Sequence, residues 1–185
     1  MLTEILQFDT EIFLYLNNLG TSTWDGFWLS YTEKITHLPM VLFLAFLLYK
    51  KLGLRNFLYS LIGIAIMITF TDQLTNLAKY SFKRPRPCRL EELQEVMRFI
   101  AKRCGPYGYF SGHSSNSMAL AIFIGNLLNK YYKGILPVLI CWAIGMGYSR
   151  IYIGVHYPLD LLTGFTVGAI LGGSFYMVFK KYIQK

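Results

Sequence analysis

The chain has 185 residues, of which 54% are hydrophobic and only 15% charged, and its net charge is +8. One domain over residues 1–185 is the expectation for that length, and so apolar a composition excludes an ordinary soluble domain of this size. Cys88, Cys104 and Cys141 do not fall at a metal-binding spacing.

The apolar run Leu61–Phe70 shows no polar stripe at a helical period, which suits lipid better than a globular core. The expected architecture is all-α: a polytopic membrane bundle of about five transmembrane helices preceded by an interfacial helix. No cleavable signal peptide is expected, because Met1–Asn18 lacks a basic start and carries Glu4, Asp9 and Glu11. Residues 3–18 place Ile5, Leu6, Phe8, Ile12, Phe13 and Leu16 on roughly one side, with Leu19 continuing it and Glu4, Gln7 and Glu11 off it, as in a helix lying on a membrane. Asn17–Thr23 reads as a turn, and Trp24 and Trp28 suit a headgroup-level belt.

The next apolar run, Leu38–Tyr49, is too short to cross a bilayer core that needs ~20 residues. To span, the helix must begin near Trp24 and take Glu33, Lys34 and His37 into the bundle, with Pro39 allowing a kink; His37 is expected to pack rather than react. Lys50, Lys51 and Arg55 mark a basic turn. The second span runs from Asn56 to about Tyr80, with Asp72, Gln73, Asn76 and Lys79 toward its far end. A long polar segment fills 81–109. The third span runs from Ser111 to about Leu128, a basic turn follows at 129–133, and the last two spans cover 134–149 and 158–179 before a basic C-terminus.

Lys and Arg concentrate on the cytoplasmic side of membrane proteins. The turns at 50–55 and 129–133 and the C-terminus then lie inside, and the N-terminus, the 81–110 loop and the 149–158 turn lie outside. The outer loop is nevertheless basic: Lys79, Lys83, Arg84, Arg86, Arg89, Arg98, Lys102 and Arg103 outnumber Glu91, Glu92 and Glu95. An anionic ligand at the membrane surface gives those charges a reason; a merely solvated positive loop does not.

Three polar groups share that face. In the first, Lys79 closes a span and Arg86 lies between Pro85 and Pro87, fixed cations that suit a phosphate. In the second, Ser111, Gly112 and His113 lie at the start of the third span, where free N–H groups and the helix dipole favour an anion and His113 is placed to give up a proton. In the third, Ser149–Asp160 sets Arg150, His156 and Asp160 in a polar break. Pro158 suits a helix start, so Asp160 lies one turn from His156 and can hold one ring nitrogen while leaving the other free. Taken alone, each group also reads as an ordinary interfacial loop or helix cap.

Together they resemble the signature of the type 2 phosphatidic acid phosphatase superfamily. Lys79, Arg86 and Pro87 match its first block; Ser111, Gly112 and His113 match its second, with Phe110 where the family has proline; Ser149, Arg150, His156 and Asp160 match its third. The resemblance covers about residues 60–175. It implies a membrane lipid phosphatase needing no metal and no cofactor. Lys79, Arg86, Arg150, Ser111 and Gly112 would bind the phosphoryl oxygens. His156 would attack phosphorus, Asp160 would orient it, and His113 would protonate the leaving oxygen. The expected substrate is undecaprenyl diphosphate, phosphatidylglycerophosphate, phosphatidic acid or a phosphate of lipid A, at the extracytoplasmic face of a bacterial cell membrane; no nucleic-acid partner is expected. A non-enzymatic lipid-phosphate binder or flippase would not need His113, His156 and Asp160, and a vanadium-dependent haloperoxidase is typically soluble.

Cys88 and Cys104 lie in the outer loop, either bridged or as free thiols, and Cys141 reads as core. Gly145, Gly147, Gly164, Gly168, Gly172 and Gly173 suit close helix packing. Asp72 and Asn76 read as buried polar residues near Lys79.

Overall fold

The computed structural model describes residues 2–183, so Gln184 and Lys185 of the basic C-terminus lie outside the described residues. The described chain is helical: α1 (Leu2–Asn18), α2 (Ser22–Tyr31), α3 (Leu38–Phe82), the one-turn α4 (Glu91–Gln94), α5 (Gly112–Asn129), α6 (Ile135–Tyr152) and α7 (Pro158–Ile183). It forms the all-α bundle expected of a polytopic membrane protein. Among the described residues three stretches, Lys34–Phe82, Ile135–Tyr152 and Pro158–Tyr182, are long and apolar enough to cross a membrane, not five.

Two physical causes account for the difference. The first two expected spans form one helical stretch, interrupted only at Gly53, whose φ of 73° and ψ of 166° suit glycine. The chain folds back there, because Val41, Leu44 and Leu48 line the same cavity as Leu61, Ile64 and Ile68. α5 opens on Ser, His and Asn and packs between α3, α6 and α7, so its surroundings are protein more than lipid.

Residues 22–49 also differ from expectation. α2 ends at Tyr31, a 3-10 turn covers Lys34–His37, and α3 starts at Leu38 with Pro39 in its first turn, where a missing N–H costs nothing. Pro39 therefore starts a helix and does not kink one.

The main core joins Leu48, Met67, Phe123, Leu128 and Ala143, from α3, α5 and α6. α7 meets α5 along Gly164, Gly168 and Gly172, one residue per turn. A Cβ at those positions would lie 2.6, 2.3 and 2.6 Å from the carbonyl oxygens of Ser111, Ser115 and Ala119. Only glycine permits this backbone approach, and it fixes the start of α5 against that of α7. Gly145 and Gly147 accept the rings of Tyr31 and Phe165, whereas Gly173 meets nothing. Cys141 is exposed rather than core, on an apolar helix surface.

At one end, Lys51 lies over the rings of Tyr131 and Tyr132, joining the two basic turns. At the other, Cys88 and Cys104 form a disulfide with Cα atoms 6.3 Å apart. α1 lies against this end through Asp9, Phe13 and Asn17, while Ile5, Phe8 and Tyr15 stay exposed. Asn17 donates to the carbonyls of Arg98, Ile151 and Tyr152 and accepts from the Arg98 N–H, tying α1 to the loop and to the end of α6. Trp28 packs on Tyr148 and Tyr152, and Trp24 is exposed.

Candidate active site

A cavity of about 450 Å³ opens where the ends of α3, α5 and α6 converge. α3 supplies Asp72, Thr75, Asn76 and Lys79, spaced as one helical face. α5 supplies Gly112, His113, Asn116 and Ser117 from its first two turns. Arg150 projects from the last turn of α6, and Arg86 and His156 close the ring. Six of the eight residues named from the sequence thus line one cavity: Lys79, Arg86, Gly112, His113, Arg150 and His156.

The other two stand behind it. Asp160, in the first turn of α7, holds His156 from the rear: its Oδ2 accepts from His156 Nδ1 at 3.0 Å and from the Tyr157 N–H at 3.2 Å. Nδ1 thereby carries the proton, and Nε2 keeps the lone pair. Ser111 differs from expectation. Its hydroxyl caps α5 by accepting the Ser114 N–H, and its own N–H donates to the Asp160 carbonyl. Ser111 is buried and does not line the cavity, so it orders the cradle rather than forming its wall. Ser149 and Arg150 also lie within α6 rather than in a polar break; the chain leaves the helix at Ile153 and turns at Gly154, with φ of 82°.

His156 is 2% exposed. Burial first, then the charges of Arg86, Arg150, Lys79 and Arg84, hold its pKa well below the usual 6.5. The ring is neutral at neutral pH, the form that can attack.

Arg86 Nε donates to the Tyr107 carbonyl at 2.9 Å, which aims its guanidinium. Arg150 Nη1 donates to Thr32 Oγ1, while its buried Nε has no partner. Thr75 Oγ1 is likewise buried and unpartnered on the cavity wall. Asp72 accepts from Asn116 Nδ2 at 2.8 Å, and both Asp72 and Asn76 are exposed to the cavity rather than buried. His37 is packed: its Nδ1 accepts from Trp142 Nε1 at 3.1 Å and its Nε2 donates to the Tyr31 carbonyl at 2.6 Å.

The sequence reading missed Thr75, Arg84 and Asp9. Arg84 bridges Asp160 Oδ1 and Asp9 Oδ2. Its identity was hidden among similar charges at 83–86, and Asp9 lies 75 positions away. A second cavity, of about 710 Å³, shares Lys34, His113 and Arg150 with the first and is also lined by Glu33, Lys102 and Arg103. Apolar space of about 200 Å³ extends the first cavity between the two limbs of α3, sharing Val41, Ile68, Leu120 and Trp142.

A cationic pocket with a backed imidazole, set in an apolar bundle, defines a membrane hydrolase of lipid phosphates. The chain belongs to the PAP2 superfamily of type 2 phosphatidic acid phosphatases, which it matches over residues 53–184. It is 34% identical over 188 residues to the lipid A 4'-phosphatase of Bacteroides thetaiotaomicron, covering 98% of this chain and 81% of that one. It is 34% identical over 179 residues to the lipid A 4'-phosphatase of Porphyromonas gingivalis, covering 95% and 74%. Its fold is similar to the crystal structure of the first transmembrane PAP2-type phosphatidylglycerolphosphate phosphatase from Bacillus subtilis. The TM-score is 0.74, with 18% identity over 98% of this chain and 87% of that chain.

Proposed function

We propose that the chain, as one domain, removes a phosphate from a lipid A-type substrate through a phosphohistidine. His156 Nε2 attacks phosphorus as the bond to the lipid oxygen breaks, and His113 gives that oxygen its proton. Water, deprotonated by His113, then cleaves the phosphorus–nitrogen bond and releases phosphate. Lys79, Arg86, Arg150 and the backbone at Gly112 hold the phosphoryl oxygens, and Asp160 orients His156 and offsets its positive charge.

The observation that carries this reading is the His156–Asp160 pair backing onto a cavity lined by Lys34, Lys79, Arg86 and Arg150. Two 34%-identical relatives named as lipid A 4'-phosphatases favour lipid A over the other candidate lipids. The second, basic cavity offers room for a large polar head, and the apolar extension offers room for part of a tail. Five crossings follow if each limb of α3 and α5 cross separately. The basic turns then lie in the cytoplasm and the pocket opens on the extracytoplasmic face.

The test is phosphate release from a panel of lipid A, undecaprenyl diphosphate, phosphatidylglycerophosphate and phosphatidic acid, with His156→Ala alongside. Fastest turnover of lipid A, abolished in His156→Ala, is the expected result. Turnover unchanged in His156→Ala removes the nucleophile, and preference for another lipid removes the substrate.

A further inference from the structure

Asp9 is out of place for a helix that lies on a membrane. Its carboxylate is 2% exposed, on the face of α1 that meets the protein. A buried carboxylate is costly unless it is paired and hydrogen-bonded. Here both oxygens are used: Oδ1 accepts the Leu159 N–H at 2.8 Å, in the first turn of α7, and Oδ2 accepts Arg84 Nη2 at 2.6 Å. Burial raises the Asp9 pKa, and Arg84 and the Leu159 N–H oppose that rise.

Arg84 is forked. While Nη2 holds Asp9, Nη1 holds Asp160 Oδ1 at 3.0 Å, and the guanidinium lies 4.1 Å from the centre of the Tyr157 ring. The other oxygen of Asp160 holds His156 Nδ1. An unbroken chain of charged hydrogen bonds thus runs Asp9–Arg84–Asp160–His156, from the interfacial helix to the proposed nucleophile. Arg84 does not line the cavity, so it is not placed to touch phosphate. A planar guanidinium is fixed when two acceptors grip its two ends, and Asp9 is the grip remote from the reaction.

We propose that Asp9 is a positioning residue for phosphoryl transfer, acting through Arg84 to fix the Asp160 carboxylate behind His156. The proposal rests on the His156–Asp160 reading given above. It makes the seating of α1 on the bundle part of the catalytic machinery. It also gives the segment before residue 53, outside the family match, a part in the reaction.

The experiment is steady-state phosphate release by Asp9→Asn, Arg84→Met, their combination and His156→Ala, each checked for a folded, monodisperse protein in detergent. Asn keeps an oxygen for the Leu159 N–H and removes the charge that grips Arg84. Asp9→Asn should lower kcat by about tenfold, the order of one charge-assisted hydrogen bond, with KM nearly unchanged. Arg84→Met should lower kcat further, and the double variant should be no worse than Arg84→Met, because Asp9 acts only through Arg84. A wild-type kcat in Asp9→Asn, losses that multiply in the double variant, or a change confined to KM overturns the proposal. If Asp9→Asn fails to fold, Arg84→Lys serves in its place. It keeps the charge without the fork, so an unchanged kcat there overturns the proposal and a reduced kcat at constant KM supports it. Turnover surviving in His156→Ala would instead remove the reading beneath it.

Discussion

Asp160→Asn tests the orientation of the proposed nucleophile directly. The carboxylate accepts from His156 Nδ1 at 3.0 Å, from the Tyr157 N–H at 3.2 Å and from Arg84 Nη1 at 3.0 Å. An amide has one accepting oxygen and one donating nitrogen, so it cannot serve both sides. With its NH2 toward Arg84, two donors meet. With its NH2 toward His156, Nδ1 must become an acceptor, the proton moves to Nε2, and the attacking lone pair is lost. Two charge-assisted hydrogen bonds are at stake, each worth about 1.5–3 kcal/mol. At 1.36 kcal/mol per decade they correspond to a loss of about 10²–10⁴ in kcat, and a wrong imidazole tautomer alone accounts for about 10⁴ in hydrolases with an Asp-backed His. The assay is phosphate release from lipid A in detergent micelles, with thermal unfolding monitored in parallel. Full folding with a loss of less than tenfold would refute the role given to Asp160.

Gly168→Val should destabilise by about 3 kcal/mol, the upper range for overpacking, because the added carbon would meet the Ser115 carbonyl oxygen at 2.3 Å; a thermal-shift assay showing a wild-type Tm would contradict it. Cys88→Ser should cost about 3 kcal/mol, the chain-entropy value for a sixteen-residue separation, and reductant should lower the Tm of the wild type but not of the variant. His156 titrates well below 6.5 when folded. Below pH 6.5 the unfolded chain therefore binds a proton that the folded chain refuses. Stability is full above that pH and falls as pH drops, by up to about 1.4 kcal/mol per unit; His156→Gln should flatten that part of the Tm–pH curve. Orthovanadate at a hundred times its Kd should stabilise the protein by about 2.7 kcal/mol, and an equal shift in Arg150→Ala would remove Arg150 from the anion site.

Much of the site was legible because each of its parts is anchored at a helix end. Lys79 closes α3, His113 lies in the first turn of α5, Arg150 lies in the last turn of α6, and Asp160 in the first of α7. Such positions leave a spacing in the sequence that tertiary packing does not scramble. Where the reading failed, one symbol stood for two environments. Cys141 lies in an apolar run, and apolarity does not distinguish a core from a surface facing lipid. The same ambiguity splits α1. Its apolar residues Ile5, Phe8 and Tyr15 are exposed, while polar Asp9 and Asn17 are buried against the protein together with Phe13. Arg150 looked like the end of a helix because it is charged, yet a long side chain leaves the last turn into the cavity without breaking the backbone. The marker of that end was Gly154. Pairings across the fold, such as Asp9 with Arg84, leave no local trace.

In the proposed mechanism, one arrangement of charge lets the pocket both bind phosphate and keep His156 ready to attack it. Asp9 and Asp160 are both engaged with Arg84. The salt bridges between the described residues do not include Lys79, Arg86 or Arg150; Arg86 and Arg150 hold only neutral oxygens, from Tyr107 and Thr32. Asp72 lines the cavity with Lys34, Lys79, Arg86 and Arg150, so the lining keeps an excess of positive charge for an anion, in surroundings of low dielectric where the attraction is strong. Burial first, and then Arg86, Arg150 and Lys79, keep His156 unprotonated. A pocket of opposite sign would lose on both counts, repelling the dianion and holding a proton on the attacking nitrogen. In the proposed phosphohistidine, with phosphorus bonded to Nε2 and the proton still on Nδ1, the ring is cationic. The carboxylate of Asp160, 3.0 Å from Nδ1, is in direct contact to offset that charge. Arg84 therefore faces two opposed demands, to hold Asp160 in place and to leave that carboxylate enough of its charge for His156. A second acceptor on Arg84, Asp9, reconciles them by drawing part of the guanidinium charge away from Asp160.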